Sequence, residues 1–498
     1  MRYELNLTKL WSGTTWMLKS DILILGGGTA GLVSALILNT RFPKKKIVVV
    51  KSDKIGVIGV GEGSNEEWSY FVQFCGLDSN EVIRETDGTV KLGIKLVNWT
   101  DKDYIHNVDN RFYENSNIGQ FAGSYIHSYI NDDSQIDTTD DLIAKAQVPN
   151  INQTCSNQYH FNALKLRDYL EKKCKERGIK VHTDEIKDVI TNENGIDYIS
   201  GDNQYKSDFY IDSSGFKKVL IGKLGVKWNS YAEYLPVNEA IAFPTADTDE
   251  YPLYTSSTAM KYGWMWRIPT YGRWGNGYVF DNNYINAEEA QKEVEEYLGK
   301  KIDIFKNIKF SAGSLDKFWV KNCMAVGLSS NFIEPLEATS IGSTITQAFM
   351  FMNYYDCAND LQIKQFNDKM ALVIENLRDF VILHYQVKKN DTEFWSNLKN
   401  LPVPPSLQLK LDLWKDRLPI REDFPATGYC LFYEMNFISI MYGLKLLNKE
   451  ALTKIYDGFS DYHKLKIKNT ITEYTNIKNK WKNNTISHKK WLAKVRGV

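Results

Sequence analysis

The chain has 498 residues, of which 43% are hydrophobic and 24% charged, as in a folded protein too long for one simple core. Lysine and arginine (61) balance aspartate and glutamate (61), so no global field favours nucleic acid or an acidic surface partner. The six cysteines form no CxxC pair and join no histidine cluster, which argues against a zinc site and a disulfide framework and favours a reducing, cytoplasmic compartment.

The first predicted elements form a strand–helix–strand unit. DILILGGGTAGLVSALIL (21–38) begins as an apolar strand, passes through glycines and continues in a helical pattern, and KKKIVVVKS (44–52) is a second buried strand. The glycines interrupt the most apolar window, so we do not expect it to span a membrane. The preceding residues lack the apolar region of a signal peptide. Such a βαβ unit is typical of a nucleotide-binding domain.

The turn of this unit has the spacing Gly26-x-Gly28-x-x-Gly31. The first glycine permits a tight turn, the second lets backbone approach a pyrophosphate, and the third lets helix and strand pack closely. The pattern alone also occurs in turns without a ligand. The second strand ends in Lys51 where a ribose-binding acid is expected. This leaves Asp53, a backbone carbonyl, or a 2′-phosphate as in NADP as the alternatives at the ribose.

Further along, strands and helices alternate. Period-two alternation predicts a strand over 89–99, with apolar residues on one face and Lys91, Gly93 and Lys95 on the other. Residues 160–181 read as an amphipathic helix followed by a strand.

Near the middle of the chain, residues 207–221 predict a strand that ends in a tight Ser-Ser-Gly turn. Residues 322–349 then predict a strand, a long loop with a proline, and a helix that begins near Thr339. Beyond residue 350 the pattern is mostly helical and aromatic. Residues 464–498 carry ten basic residues and one acid, which we interpret as a solvated helical face.

Several motifs, taken together and in this order, resemble the flavin-dependent halogenases of the tryptophan halogenase family. The segment GWMWRIP matches the family's WxWxIP signature in full, and the resemblance covers about residue 21 to at least 400. Two departures are a lysine where the family has an acid, at residue 51, and Ala338 where serine is usual. The matching segments are GGGTAG (26–31), KSDKIGVIGVGEG (51–63), YHFNALKLRDYL (159–170), YIDSSGF (210–216), GWMWRIP (263–269), GNGYVF (275–280), FWVKNCMAVGL (318–328), FIEPLEATSI (332–341) and RDFVILHY (378–385).

The resemblance implies an α/β fold. A Rossmann-like FAD-binding module over 21–350 is interleaved with substrate-site elements, and a mainly helical C-terminal region follows over 351–498. Because no nicotinamide site is visible, a separate flavin reductase is expected to deliver the FADH2. The residues that the resemblance assigns to FAD are Gly26, Gly28, Thr29, Ala30, Gly31, Gly61, Glu62, Gly327 and Leu328.

The family's chemistry converts FADH2, oxygen and halide into hypohalous acid, which passes through a tunnel to an active-site lysine. Lys91 matches that lysine, with Lys95 as the local competitor. A buried ammonium can hydrogen-bond hypohalous acid, and a neutral amine can form a haloamine. Glu337 matches the family's acceptor, which orients the oxidant and takes a proton from the aromatic ring. Its neighbour Glu334 is expected at the surface.

The loop after Glu337 matches the family's halide site. The backbone N–H groups of Thr339 and Ser340 lie where a helix is predicted to begin, and helix N-termini attract anions. Ala338 removes a hydroxyl there. We therefore expect bromide or iodide, which are easier to oxidise, to be preferred over chloride.

Two tryptophans form the predicted barrier. Trp264 and Trp266 share one face of a short extended segment that Pro269 interrupts. In the resembling enzymes these indoles, fixed by Ile268 and Pro269, keep substrate away from the flavin while hypohalous acid passes. Both are also expected to be core aromatics, because a wall is itself packed.

The substrate is expected to be an electron-rich indole, phenol or pyrrole, free or carrier-bound. Polar residues over 100–155 are a candidate lid, and His160 and His384 are expected to be structural. We further expect a homo-oligomer without bound metal, nucleic acid or membrane. Two alternatives are a flavin monooxygenase that hydroxylates its substrate and a non-catalytic FAD-binding protein. The absence of a Gly-Asp flavin motif within 326–337 weakens the first, and the presence of both predicted catalytic residues weakens the second.

Overall fold

The structure is a computed structural model that describes residues 17–54, 61–108, 118–131, 147–149 and 158–498. Within these residues five sheets form. The strands are β1 (Met17–Leu25), β2 (Ile47–Lys51), β3 (Glu62–Gly63), β4 (Thr89–Val90), β5 (Gly93–Val97), β6 (Tyr104–Asn107), β7 (Gln147–Pro149), β8 (Tyr159–Phe161), β9 (Lys180–Thr183), β10 (Asp188–Asn192), β11 (Gly195–Ser200), β12 (Gln204–Asp212), β13 (Trp228–Ser230), β14 (Glu239–Ala246), β15 (Tyr254–Met260), β16 (Gly263–Thr270), β17 (Arg273–Phe280), β18 (Lys306–Lys309), β19 (Gly313–Leu315), β20 (Trp319–Val320), β21 (Cys323–Ala325), β22 (Asn331–Phe332) and β23 (Thr485–Ser487).

Helices cover these sheets and make up most of the C-terminal third. They are α1 (Thr29–Arg41), α2 (Glu67–Phe74), α3 (Ser79–Glu85), α4 (Ile118–Ile130), α5 (Ala163–Glu176), α6 (Ala287–Leu298), α7 (Thr339–Tyr354), α8 (Asp360–His384), α9 (Glu393–Asn397), α10 (Pro405–Leu413), α11 (Glu434–Gly443), α12 (Lys449–Asp457), α13 (Asp461–Lys482) and α14 (His488–Arg496). None of the helices within the described residues is long and apolar enough to cross a membrane.

The first sheet is built around the predicted βαβ unit. Its order is β10-β11-β12-β1-β2-β9, with β21 beside β12 and β20 beside β21. The pairs β1–β12, β1–β2 and β2–β9 are parallel. Continuous burial of 22–25 and 47–50 indicates that both faces of these strands are covered. Helix α1 packs against α5 and α7, and this α/β arrangement confirms the predicted fold class.

The second large sheet carries the tryptophan segment. Its order is β18-β14-β17-β16-β15-β5-β6, antiparallel except between β15 and β5. Strand β16 is central, and it runs through Pro269 to Thr270. The prediction that Pro269 interrupts this segment was wrong. The proline lies one residue before the turn to β17, where a missing backbone donor is tolerated.

The segment that contains Lys91 also differs from its prediction. One alternating strand was expected over 89–99, but β4 ends at Val90 and β5 begins at Gly93. Lys91 is buried between them, and its backbone N–H donates to Gln158 O at 3.0 Å. The next residue, Leu92, donates instead to Leu253 O at 2.7 Å, so the backbone changes partner directly after Lys91 and the regular alternation ends there.

Much of the polar region 100–155 proposed as a lid lies outside the described residues, namely at 109–117, 132–146 and 150–155. Helix α4, which falls within it, packs against α12 and α13. Strand β7 pairs with β23, so this region also meets the C-terminal part of the chain.

The basic segment 464–498 is not only a solvated face, contrary to prediction. His488, Trp491 and Leu492 of α14 are buried. The backbone N–H of Val90 donates to His488 Nε2 at 3.1 Å, and His488 Nδ1 lies 2.7 Å from the Tyr251 carbonyl. The ring is therefore neutral, with its proton on Nδ1, and it fixes the residue before Lys91.

We predict that His488 makes stability depend on pH. Burial lowers the pKa of His488 from 6.5 to about 4, with the Tyr251 hydrogen bond opposing. Stability from the neutral ring is thus present above pH 6.5 and lost as the pH falls towards 4, because only the unfolded chain binds the proton there. The loss amounts to about 3 kcal/mol.

Urea denaturation of the wild type and of His488→Gln, at a series of pH values, measures this effect. The advantage of the wild type should shrink as the pH falls from neutral. A difference in unfolding free energy that does not change with pH would contradict the prediction.

Candidate active site

The turn between β1 and α1 has the geometry of an anion cradle. Gly26 has φ +125°, and a Cβ there would overlap the Ser213 carbonyl oxygen. A Cβ on Gly31 would overlap the Gly26 carbonyl. A Cβ on Gly28, the N-cap of α1, would meet nothing within 4 Å. Packing thus explains Gly26 and Gly31, whereas Gly28 faces open space in front of the helix N-terminus.

The segment 61–62 reaches the first turn of α1. Thr29 Oγ1 donates to Glu62 Oε2 at 3.4 Å. Burial raises the pKa of Glu62 to about 7, although the Thr29 hydrogen bond lowers it. A Cβ on Gly61 would lie 3.5 Å from Ile268, so this segment links the cradle to β16.

The third predicted cofactor segment meets α1 beside the same turn. Gly327 has φ +59°, and a Cβ there would lie 2.6 Å from the Ala30 Cβ. Leu328 follows it in a single 3₁₀ turn. The structure therefore brings the three predicted cofactor segments together at the N-terminal end of α1.

Lys51, at the end of β2, forms an ion pair with a glutamate on α5. Lys51 Nζ lies 2.9 Å from Glu171 Oε2 on α5 and 3.6 Å from Asp53 Oδ1. This ion pair weakens the interpretation of Lys51 as a 2′-phosphate ligand. Asp53 is largely exposed.

Lys91 is one of the largest fully buried side chains, with 1% of its surface exposed. Its Nζ donates to the Ser64 carbonyl at 2.9 Å. Burial lowers its pKa to about 8, although the charge of Glu337 raises it. A Cβ on Gly63 would lie 3.7 Å from Lys91 Nζ and 3.3 Å from the Ala338 Cβ, so Lys91 and the loop before α7 face each other across Gly63.

The competitor Lys95 has a different environment. It forms an ion pair with Asp103 at 3.1 Å, and its side chain is 31% exposed. Lys91 alone of the two is buried beside the loop before α7.

Glu337 lies on a strained turn at the start of α7. Glu337 and Ala338 have φ of +66° and +54°, a conformation that costs about 1–3 kcal/mol per non-glycine residue. The buried carboxylate contacts His106 Nδ1 at 2.8 Å and His384 Nε2 at 3.0 Å. Burial alone would raise the pKa of Glu337, but the two histidines together hold it well below its usual range.

Sequence reasoning missed this histidine pair. His384 was expected to be only structural, and no pattern singled out His106, which reaches Glu337 from β6. The one available signal was that His384 lies in a matched motif, RDFVILHY. His160, by contrast, is held by the hydroxyls of Thr89 and Thr255 at 3.0 and 2.9 Å.

Glu334 is buried, with 2% exposed, so the prediction of a surface residue was wrong. The Tyr385 hydroxyl bonds both of its oxygens, at 2.9 and 3.0 Å. Burial raises the pKa of Glu334 to about 8, against the effects of Tyr385 and Trp264. The site thus has two buried carboxyl groups, whose pKa values are shifted in opposite directions.

The tryptophans lie on one face of β16 as predicted. Their ring centroids are 6.1 Å apart, Trp264 is 1% exposed, and Trp266 occupies the space that a Cβ on Gly277 would need. Ile268 and Pro269, which follow on the same strand, are also buried. The Pro269 carbonyl accepts the Thr89 hydroxyl at 2.6 Å, which links β16 to the strand before Lys91.

The N-terminus of α7 offers backbone donors without a side-chain cap. Thr339 and Ser340 are its first residues, as predicted, and the capping residue Ala338 makes no side-chain hydrogen bond. Asn65 is buried against Gly342 in the same turn. Within the part of the chain that the structure describes, neither amide atom of Asn65 has a hydrogen-bond partner, so a polar ligand is chemically suited to this end of α7.

Comparison with known proteins decides the family. The family profile for tryptophan halogenases matches residues 21–458. The chain belongs to the tryptophan halogenase family. It is 30% identical over 449 residues to the 7-chloro-L-tryptophan 6-halogenase of Kutzneria sp. (strain 744), covering 80% of this chain and 86% of that protein. It is also 30% identical over 455 residues to the tryptophan 6-halogenase of Streptomyces toxytricini, covering 81% and 86%.

Solved structures share the fold. A tryptophan halogenase from Shewanella frigidimarina superposes with a TM-score of 0.88 at 24% identity, covering 97% of this chain and 98% of that one. A flavin-dependent halogenase from Brevundimonas sp. BAL3 superposes with a TM-score of 0.81 at 27% identity, covering 95% and 99%. This halogenase is therefore an enzyme that requires reduced flavin, and FAD is its implied cofactor.

We predict that the effects of replacing His384 and Glu337 on the free energy of unfolding are strongly coupled, because the two side chains are buried in contact. Replacing His384 with leucine leaves a buried carboxylate with one fewer partner, which should lower the free energy of unfolding by about 3–5 kcal/mol. Adding Glu337→Gln removes the charge, so the double variant should lose less than the sum of the single variants. Urea denaturation of all four proteins at neutral pH measures the coupling, and strictly additive losses would contradict it.

Proposed function

We propose that the enzyme transfers the halogen of hypohalous acid to an electron-rich aromatic substrate at Lys91. The main support for this proposal is that Lys91 is fully buried and interacts electrostatically with the buried Glu337 carboxylate. Burial lowers the pKa of Lys91 to about 8. Buried ionisable pairs with strongly shifted pKa values are typical of catalytic sites. Membership of the tryptophan halogenase family is the reason for assigning halogen transfer to Lys91 and Glu337.

The residues at the N-terminal end of α1 fit FAD. Gly28 leaves room for a pyrophosphate, and the first turn of α1 has no acidic residue and no side-chain cap to compete for its N–H groups. When bound there in its reduced form, FAD would supply the hypohalous acid that the site uses, together with oxygen and halide.

Lys91 has two ways to hold the halogen. As an ammonium it donates a hydrogen bond to hypohalous acid. As a neutral amine it would form a nitrogen–halogen bond while the oxygen–halogen bond breaks, and the displaced hydroxide would leave as water after taking one amine proton. A pKa of about 8 keeps both forms populated near neutral pH. Its low exposure keeps bulk water from competing for the oxidant.

Glu337 is the proposed acceptor of the proton that the ring loses. A carboxylate with a depressed pKa is a weak base, but a halogenated ring cation is a very strong acid, so a weak base is sufficient. The His106 and His384 contacts fix the carboxylate in place without water.

Trp264 and Trp266, backed by Ile268 and Pro269, are the proposed barrier between flavin and substrate. Their central position in a seven-stranded sheet supports a rigid wall. The hydroxylase alternative requires the substrate to pass this wall.

The halide is proposed to bind at Thr339 and Ser340, in front of α7. The uncapped helix N-terminus and the unpaired Asn65 amide support this placement. Bromide or iodide is the proposed preference over chloride, since Ala338 contributes no hydroxyl. A separate flavin reductase is the proposed source of FADH2, and an indole, phenol or pyrrole the proposed substrate.

Lys91→Ala should reduce halogenated product by about 10²–10⁴-fold, because the halogen is no longer held at the substrate. The test incubates the purified protein with FAD, a flavin reductase, NADH and oxygen, adding each halide in turn and a panel of indoles and phenols. Mass spectrometry then measures the masses of the products. Flavin oxidation should continue in the variant.

Lys95→Ala is the matched control and should stay within about twofold of wild type. Catalase excludes reactions driven by released peroxide. Unchanged product from Lys91→Ala would remove Lys91 from the mechanism. A gain of one oxygen in place of halogen, whatever the halide, would favour the hydroxylase.

Gly28→Val should weaken FAD binding at least about tenfold while leaving the thermal midpoint nearly unchanged, because its side chain enters only ligand space. Gly31→Ala is the contrasting control, since its Cβ overlaps the Gly26 carbonyl and should lower the midpoint. Flavin fluorescence titration and thermal unfolding measure the two effects. Wild-type affinity in a folded Gly28→Val protein would remove the cradle from the FAD site.

A further inference from the structure

The two ring nitrogens of His106 face different kinds of partner. Nδ1 lies 2.8 Å from Glu337 Oε2, and Nε2 lies 3.2 Å from Asn436 Nδ2. The Asn436 side chain is fixed in this orientation because its Oδ1 accepts the backbone N–H of Tyr433 at 2.9 Å. An amide NH₂ group only donates, so Nε2 of His106 is the accepting nitrogen, and the ring proton lies on Nδ1.

His384 is bonded differently. Its Nδ1 lies 2.9 Å from the Phe380 carbonyl, and its Nε2 lies 3.0 Å from Glu337 Oε1. Both partners accept, so Nδ1 carries one proton and a second is shared between Nε2 and the carboxylate. Together Glu337 and His384 hold one mobile proton and no net charge.

We propose that Asn436 is a positioning residue that keeps His106 neutral, so that the buried site holds at most one imidazolium. A second proton on His106 would set Nε2–H against the Asn436 NH₂, with a donor facing a donor. Glu337 then experiences one histidine cation instead of two and remains able to accept a ring proton. This catalytic consequence rests on the proposed function, whereas the protonation of His106 does not.

Among the described hydrogen bonds of His106, none offers an acceptor for a proton on Nε2. Both rings are fully buried, so water does not supply one readily. On α11 the neighbouring carboxylate Glu434 is committed to Arg421 at 3.4 Å. The titratable groups that interact with Glu337 include Lys91, Tyr104 and His384. On the strand paired with that of His106, Lys95 forms an ion pair with Asp103 at 3.1 Å.

Histidine-selective ¹⁵N labelling of the resting enzyme reads the tautomer directly. The seven histidines keep the spectrum simple, and His106→Gln, or the signal that moves in Asn436→Asp, assigns His106. From about pH 6 to 8, Nε2 of His106 should show the shift of a bare nitrogen and Nδ1 that of a protonated one. A protonated Nε2 in the wild type would overturn the proposal.

Asn436→Asp tests the consequence. The new carboxylate accepts a hydrogen bond from Nε2–H, so His106 should gain a second proton. Turnover should then fall, and the acid limb of the pH–rate profile should shift to higher pH by about one unit or more. Asn436→Leu provides no acceptor, so turnover should fall while the acid limb stays in place. A doubly protonated His106 with an unmoved profile would overturn the catalytic consequence. If the wild type gives no halogenated product, the proposed function fails while the spectrum still decides the tautomer.

Discussion

The structure depends on one constraint, which is that ionisable groups buried together must compensate one another. Lys91, Glu337, His106 and His384 are all nearly inaccessible to water. A buried charge without a partner costs several kcal/mol, so each of these groups needs a fixed neighbour. Several irregular features of the fold serve this requirement. The break between β4 and β5 lets Lys91 turn inwards, and the left-handed turn at 337–338 points the carboxylate at two histidines.

The neighbours come from segments far apart in the sequence. His106 lies on an edge strand of the second sheet, and His384 ends a 25-residue helix. The amide that orients His106 comes from α11. The mainly helical C-terminal region therefore supplies His384 and Asn436 to the hydrogen-bonded cluster around Glu337. Residues from 21–350 and from 351–498 therefore meet in one hydrogen-bonded cluster.

The sequence predicted those features that depend on local periodicity. The βαβ unit, the helix at Ala163–Glu176 and the start of α7 at Thr339 all follow from the local spacing of apolar and turn residues. The burial of Lys91 did not follow, because alternation describes a regular strand and the backbone leaves its strand there. Glu334 seemed a surface residue because charge usually means exposure, and only Tyr385, 51 positions later, explains its burial. The role of His106 depends on a contact 231 residues away, which no local pattern contains.

The hydrogen bond between Val90 and His488 joins residues 398 positions apart. Such a contact can form only after most of the polypeptide has been synthesised, and closing so long a loop is entropically slow. The backbone beside Lys91 therefore reaches its final position late in folding. A chain that ends before His488 lacks the ring that accepts the Val90 N–H, so helix α14 completes the segment next to Lys91.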